Sequence, residues 1–521
     1  MNNTTPHVSG RSKEVVINTL LLFFRLSIML GVGLYTMRTV VGSLGPVDFG
    51  IFVLIAGFIP AYLCMAESVS SVIAREIGEQ LSVTPLYEMR YRFNATMTLQ
   101  LFVSVVLFFC VQPIGMWLLH YHMDIPADRL LAARWAYTAS LASFSLVLFS
   151  LPYHAMMLAH GKVVAYASFG FVQTALELFI ALSIASAPMD KLLFYALALL
   201  GSNIVITIGH IIYCYHSFEE CSLRGGTTKA HLKVAFMNLR WNFFGGGDGQ
   251  MLSYFTNILI NPFFGPILNA LWACAYYLDQ GVEKLVAGFN SSLSPLLMKT
   301  AEYGDAEHLF RIMNRGAKFS FYIALLFSAP LILEAPVVLR LWLGDHFLKM
   351  LGGDFVYLVT FLRLALLTSL ASVLQTTITK TVQVSSDKHK FQVVVGLLGV
   401  LSLPVLFVLY KMGAPVQTVF VVLFGVAILQ SICRLFMLYS VAGFNVMEFY
   451  RIISKCVVVS FCTFVFPILV RNRMPYGVDR LLVVSGTCIG VCILSILLFG
   501  LSKYERTKIK GSLGLKTKNA Q

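Results

Sequence analysis

The chain has 521 residues, 58% hydrophobic and only 12% charged, with a net charge of +14 and a mean hydropathy of +0.78. A soluble chain carries about 25% charged residues, so a soluble globular or disordered protein is excluded. Apolar runs long enough to cross a bilayer core of about 30 Å recur throughout, and none shows the short alternating pattern of barrel strands, so the sequence reads as an all-α polytopic membrane protein.

The first run, residues 15–37, contains LLLFFRLSIML with Arg25 at its middle. It is too long for a signal-peptide core and no A-x-A-like site follows, so it reads as the first membrane helix. Fourteen helices are predicted: 15–37, 49–72, 96–119, 132–158, 163–186, 191–215, 239–262, 267–298, 317–338, 355–380, 391–412, 416–440, 449–470 and 479–501. Most of the 39 Lys and Arg fall in the connections on one side, among them Arg75, Arg90, Arg92, Lys229, Lys233, Lys299, Arg311 and the tail 502–521. The positive-inside rule then places both termini in the cytoplasm, and the basic loops are expected to face anionic lipid headgroups.

An internal echo suggests two halves. LGPVDFGIF at 44–52 and FGPILNALW at 264–272 each lead from the first helix of a half into the second, and AHGKVVAYASFGFV at 159–172 and SSDKHKFQVVVGLL at 385–398 each open its fifth. The layout expected is a lobe at 1–215, a cytoplasmic linker at 216–238, a second lobe at 239–440, and two extra helices with a basic tail at 441–521. Any substrate path would lie where the lobes meet.

Ionisable residues within the spans are costly and so face protein or water. The cations are Arg25, Lys284, Arg363 and Arg434; the acids are Glu67, Glu177, Asp279 and Glu283. The eighth helix is the most informative. Trp272, Tyr276, Asp279, Glu283, Ala287, Asn290 and Ser294 fall on one face, with Tyr277, Gln280, Lys284 and Ser291 beside them. Two readings are open. In one, acids and bases neutralise each other and lock the bundle. In the other, the cations line a cavity for an anionic ligand, walled by Trp272, Tyr276 and Asn290, and the acids serve as counter-ions or as a H⁺ or Na⁺ coupling site. Arginine suits phosphate because its planar fork donates two parallel bonds.

Several functions find no support. There is no G-x-x-x-x-G-K-[ST] loop for ATP, no connection long enough for a soluble catalytic domain, and no basic domain interleaved with aromatic residues for nucleic acid. The ten cysteines show no metal-like spacing, and His120 and His122 lack further ligands nearby. No cofactor is implied beyond the coupling ion.

TMRTVVGSLGPVDFGIFVLIAG (36–57), SVIAREIGE (71–79) and the longer GGGDGQMLSYFTNILINPFFGPILNALWACAYYLDQGVEKLVAGFNSSLSPLLMKTAEYGD (245–305) resemble the signatures of Wzx-type polysaccharide flippases of the MATE-like exporter superfamily. The matched positions are Arg38, Gly45, Gly50, Gly265, Asn269, Pro295, Gly304 and Asp305. The resemblance implies two pseudo-symmetric lobes around a cationic lumen, to which it adds Arg38. It also implies a non-enzymatic activity in a bacterial inner membrane: moving undecaprenyl-diphosphate-linked oligosaccharide, an O-antigen or capsule unit of lipopolysaccharide-type pathways, with a polymerase machinery as partner. Many relatives carry an aspartate where this chain has Thr256, and Arg25 matches no motif. The rivals are a cation-coupled small-molecule exporter of the same superfamily and a membrane polysaccharide polymerase or ligase.

Overall fold

The computed structural model describes residues 8–56, 84–222, 226–233, 248–303, 305–385, 390–442, 446–502, and a few positions between and after these, with side chains from Ile28 onward. Every regular element among them is helical: α1 (Val8–Ala56), α2 (Leu86–Tyr121), α3 (Leu130–Ala159), α4 (Val163–Ser183), α5 (Lys191–Ser217), α6 (Asp248–Glu302), α7 (Ala306–Leu333), α8 (Ala335–Leu351), α9 (Phe355–Ser385), α10 (Lys390–Val400), α11 (Ser402–Lys411), α12 (Thr418–Ala442), α13 (Val446–Arg471) and α14 (Val478–Ser495). Among the described residues eleven stretches are long and apolar enough to cross a bilayer. The protein is therefore an all-α, multi-pass membrane protein.

Some of those stretches hold more than one crossing. Leu252–Ala301 has 50 residues, which laid straight would span about 75 Å, far more than a bilayer core. It is broken at Gly265, where φ is 79° and ψ 176°; α1 is broken in the same way at Gly45, with φ 79° and ψ 172°. These are the two Gly-Pro turns of the sequence echo. A left-handed φ with extended ψ is open to glycine alone, and the proline that follows has no N–H to leave unpaired. The turns pack on each other. A Cβ on Gly50 would overlap the Pro266 carbonyl, so the α1 and α6 backbones touch there.

The sequence expectations differ from the structure in three places. The third span begins ten residues earlier than expected, at Leu86. The expected 317–338 helix is α7, which ends at Leu333, and a second helix, α8, follows with its own break at Gly344 (φ 81°). They are separated at Glu334 because Pro336, in the first turn of α8, has no N–H to continue the ladder; the Glu334 carboxylate is fully buried between Arg471 and Arg480, at 3.3 and 2.9 Å. The expected 391–412 helix is interrupted between α10 and α11 at Leu401. The second expected span is described only to Ala56. Glu67 and residues 237–247, where the expected seventh helix begins, lie outside the described residues, as does the side chain of Arg25, whose backbone belongs to α1.

Buried apolar side chains form two principal cores. One joins Ile51 and Ile55 of α1 to α2, α3 and α5, around Phe93, Leu141, Leu148 and Met156. The other joins α6, α7, α8, α9 and α12 around Trp272, Phe321, Phe361 and Phe420, and reaches Val40, Val41 and Ala181 in α1 and α4. The helices α13 and α14 are fastened to α7 at both ends. Glu334 holds Arg471 and Arg480 at one end, and at the other Lys318 donates to Glu505 at 2.6 Å.

Candidate functional site

The first part of α1 crosses the second part of α6 with small residues at the crossing, which lets helices approach closely. A Cβ on Gly281 would lie 3.1 Å from Leu30, and one on Gly33 would meet the Tyr277 hydroxyl at 2.5 Å. Tyr277 stacks on Trp342 of α8, with ring centroids 6.3 Å apart, and the Trp342 indole N–H donates to the Leu34 carbonyl at 2.9 Å. Arg38, exposed at the Gly45 end of the crossing, donates to the Leu341 carbonyl at 3.3 Å.

Lys284 stands two turns along α6 from Tyr277. It is exposed although it sits midway along a membrane helix. The acid on which its charge acts is Glu177 of α4, across the crossing. Glu177 accepts from Gln173 Nε2 at 3.1 Å, and Tyr195 of α5 and Tyr277 of α6 are also within its electrostatic reach. An exposed lysine at this depth opposite a carboxylate on another helix is costly unless the space between them is wet or takes a charged guest.

Glu177 also lines a second feature. Between α3, α4 and α5 lies a cavity of about 400 Å³ bordered by Ser140, Ser143, Ser150, His154, Gln173, Glu177, Asn203, Thr207 and His210, among other residues. His154 and His210 meet at 3.2 Å, Ser150 lies 3.4 Å from His154, and Asn203 donates to Ser143 at 2.5 Å. The sequence reading missed this site. The signal was there: Ser140, Ser143, Ser150 and His154 are spaced 3, 7 and 4 apart on α3, and Asn203, Thr207 and His210 are spaced 4 and 3 apart on α5, one face of a helix in each case.

The remaining candidates lie in the second core. Asp279 is buried, with one carboxyl oxygen unpartnered, beside Glu283, which accepts from Ser369 at 3.4 Å. Asn290, expected on a cavity wall, is fully buried and accepts from Ser320 at 3.1 Å and Thr377 at 3.0 Å. Trp272, also expected to line the cavity, is packed among Tyr276, Phe361 and Phe420. Arg363 donates to the Ile332 carbonyl at 3.0 Å, and Arg434 donates to the side-chain carbonyl of Gln375. Arg363 and Gln375 are both on α9, twelve residues or about 18 Å apart. The structure therefore does not gather Arg38, Arg363 and Arg434 around one chamber. Each guanidinium is turned to its own carbonyl, because a carbonyl is the acceptor that closely packed helices supply. Lys284 and Glu177 lie within electrostatic reach of each other, and Asp279 and Glu283 share one face of α6.

Outside the spans, burial opposes the charge on Arg129, but the carboxylates of Asp48 and Asp190 outweigh it and raise its pKa. Arg129 thereby ties α1, α3 and α5, with Asp190 at 2.6 Å. The same Asp190 caps α5, accepting from the N–H groups of Leu192 and Leu193.

The fold has counterparts among solved structures. One is the lipid II flippase MurJ in an inward-closed conformation, with a TM-score of 0.69 at 12% identity over 92% of this chain and 98% of that one. Another is an inward-facing multidrug resistance MATE family transporter of the MOP superfamily, with a TM-score of 0.64 at 14% identity over 82% and 94%. A third is a MATE structure in complex with MaL6, with a TM-score of 0.54 at 16% identity over 81% and 96%. No family model and no curated protein matches the sequence. At these identities the likeness is one of fold: the chain has the architecture shared by this flippase and these transporters.

Proposed function

We propose that this protein is a flippase that carries a polyprenyl-diphosphate-linked oligosaccharide, of the undecaprenyl O-antigen or capsule-repeat type, between the leaflets of a bacterial inner membrane by alternating access. The observation that carries this reading is the exposed Lys284, held at mid-membrane depth opposite Glu177 where the two groups of helices meet. A diphosphate head must cross about 30 Å of hydrocarbon, and a lysine ammonium supplies a charged donor that replaces part of its hydration. The lipid tail stays in the bilayer beside the crossing. The shared fold with a lipid II flippase supports a lipid-linked cargo. Both termini are assigned to the cytoplasm, a coupled H⁺ or Na⁺ supplies the energy, and polymerase machinery takes the product.

The test is complementation of a strain lacking its own flippase, together with transfer of labelled lipid-linked oligosaccharide in proteoliposomes. Lys284→Glu should reduce export at least tenfold, since a charged hydrogen bond is worth about 1.5–3 kcal/mol, while reversal of the exposed Arg473 should leave it near wild type. Equal effects at the two positions would discard the assignment. A second reading, a cation-coupled small-molecule exporter, draws on the buried acid pair Asp279–Glu283 and the likeness to multidrug transporters. Transport of organic cations without transfer of lipid-linked sugar would favour it.

A further inference from the structure

Glu177 belongs to two places at once. On one side it faces Lys284 and the helix crossing; on the other it borders the cavity that His154 and His210 also line. Along α4 the residues lining that cavity are Tyr166, Gln173 and Glu177, spaced 7 and 4 apart and so on one face. The cavity therefore follows α4 for eleven residues, about 16 Å.

Charge balance then constrains what can happen at the crossing. With Glu177 ionised and Lys284 opposite, the pair is neutral. A diphosphate that takes Lys284 leaves Glu177 as an uncompensated carboxylate in the middle of the membrane, which is costly unless it is neutralised. The titratable groups facing Glu177 and the cavity are His154 on α3, Tyr166 on α4, His210 and Tyr195 on α5, and Tyr277 and Lys284 on α6. Among the described residues Lys284 is the base that acts on Glu177, and once the headgroup holds it, a proton is the counter-charge that the cavity can deliver. The hydroxyls and imidazoles along the cavity both donate and accept, so they can hand a proton from one to the next.

We propose that Glu177 is the proton-coupling group: Lys284 is shared between Glu177 in the empty crossing and the anionic headgroup in the loaded one, and Glu177 takes up one proton from bulk water, by way of the His154–His210 cavity, when it loses Lys284. This rests on the flippase reading, which supplies the anion.

The test uses the purified full chain and farnesyl diphosphate as probe. Calorimetry in buffers of different ionisation enthalpy counts the protons exchanged on binding. The expected result is uptake of about one proton per ligand by the wild type near neutral pH. Uptake should vanish in Glu177→Gln, which binds at least as tightly because no carboxylate competes for Lys284. Infrared difference spectra give a readout that does not depend on that variant folding. A protonated carboxylic acid band should appear when wild type binds the probe, and should already be present in unliganded Lys284→Met. Binding by wild type without proton uptake, or a Lys284→Met protein without that band, overturns the inference and leaves the flippase reading standing. Equal binding by wild type and Lys284→Met, or none by wild type, overturns the flippase reading itself.

Discussion

The polar side chains of α3, α4 and α5 and those of α6, α7 and α9 are presented alike, on single faces of otherwise apolar helices, yet the first set borders a hollow and the second is packed shut. The difference lies in what stands opposite. Around the hollow Ser140, Ser143, Ser150 and Ala196 stand among larger side chains such as Leu199 and Tyr166, and the small ones leave open space between the polar atoms. In the second core Trp272, Phe361, Phe420 and Phe321 fill the volume, and the polar atoms that remain are pressed against one another: Asn290 on Ser320 and Thr377, Glu283 on Ser369. A polar stripe on a membrane helix therefore does not by itself announce a cavity. The size of its opposite numbers decides.

The joint between the two regions should be the most fragile point. Gly50 has no room for a Cβ against the Pro266 backbone, and backbone cannot swing aside as a long side chain can. Overpacking usually costs about 1–3 kcal/mol, and here the clash falls on main chain on both sides, so Gly50→Val should exceed about 3 kcal/mol. Size-exclusion chromatography of tagged protein should show no monodisperse peak. A normal yield would mean that the halves do not bear on each other at the two Gly-Pro turns.

Within the regions the contrast predicts opposite responses to the same change. Asn290→Leu removes the acceptor for two buried hydroxyls in a filled space and should lower unfolding stability by about 2 kcal/mol. Ser143→Leu puts apolar volume into an existing hollow, and Asn203, which loses Ser143 as an acceptor, keeps the Leu199 carbonyl, so the cost should stay below about 1 kcal/mol, while transport that draws protons through that cavity should slow. Thermal unfolding in detergent reads both. If Ser143→Leu is the more destabilising, the hollow is not a hollow.

The class of fold is plain in the amino-acid sequence because length and hydropathy dictate membrane helices, and the paired Gly-Pro turns are legible as a repeat whose two glycines share a left-handed φ. Lys284, Glu177, Asp279 and Glu283 were legible because ionisable residues at membrane depth stand out. What could not be read was pairing. Nothing local shows that Arg363 turns to Ile332, or that Arg434 turns to Gln375 and not to a lumen, since each partner lies 31 or more residues away. The helix α8 escaped for another reason. Its 17 residues are few for a span, and the local sign of the break before it, Pro336, lies inside a mostly apolar run. The His154–His210 cavity escaped because serine and histidine are mild enough to disappear into an apolar average.

The smallest effect concerns the fastening of α13 and α14 to the second core. Burial raises the carboxyl pKa of Glu505, but its bonds with Lys318 and the Ser502 N–H more than offset this and hold it below its ordinary value of 4.5. A carboxylate with a depressed folded-state pKa contributes stability above the ordinary value and loses it as pH falls through the folded one. The clasp is thus complete at neutral pH and opens only in acid. Glu505→Gln keeps an acceptor for Lys318 but removes the charge, and should cost about 1 kcal/mol at pH 7. That difference should shrink below pH 4.5 as wild type itself becomes protonated. The cavity on α3–α5 is far from this clasp, so proton uptake on ligand binding should be unchanged in the same variant. A stability gap that widens in acid would show that Lys318 and Glu505 do not form the fastening, and that α13 and α14 are held at the Glu334 end alone.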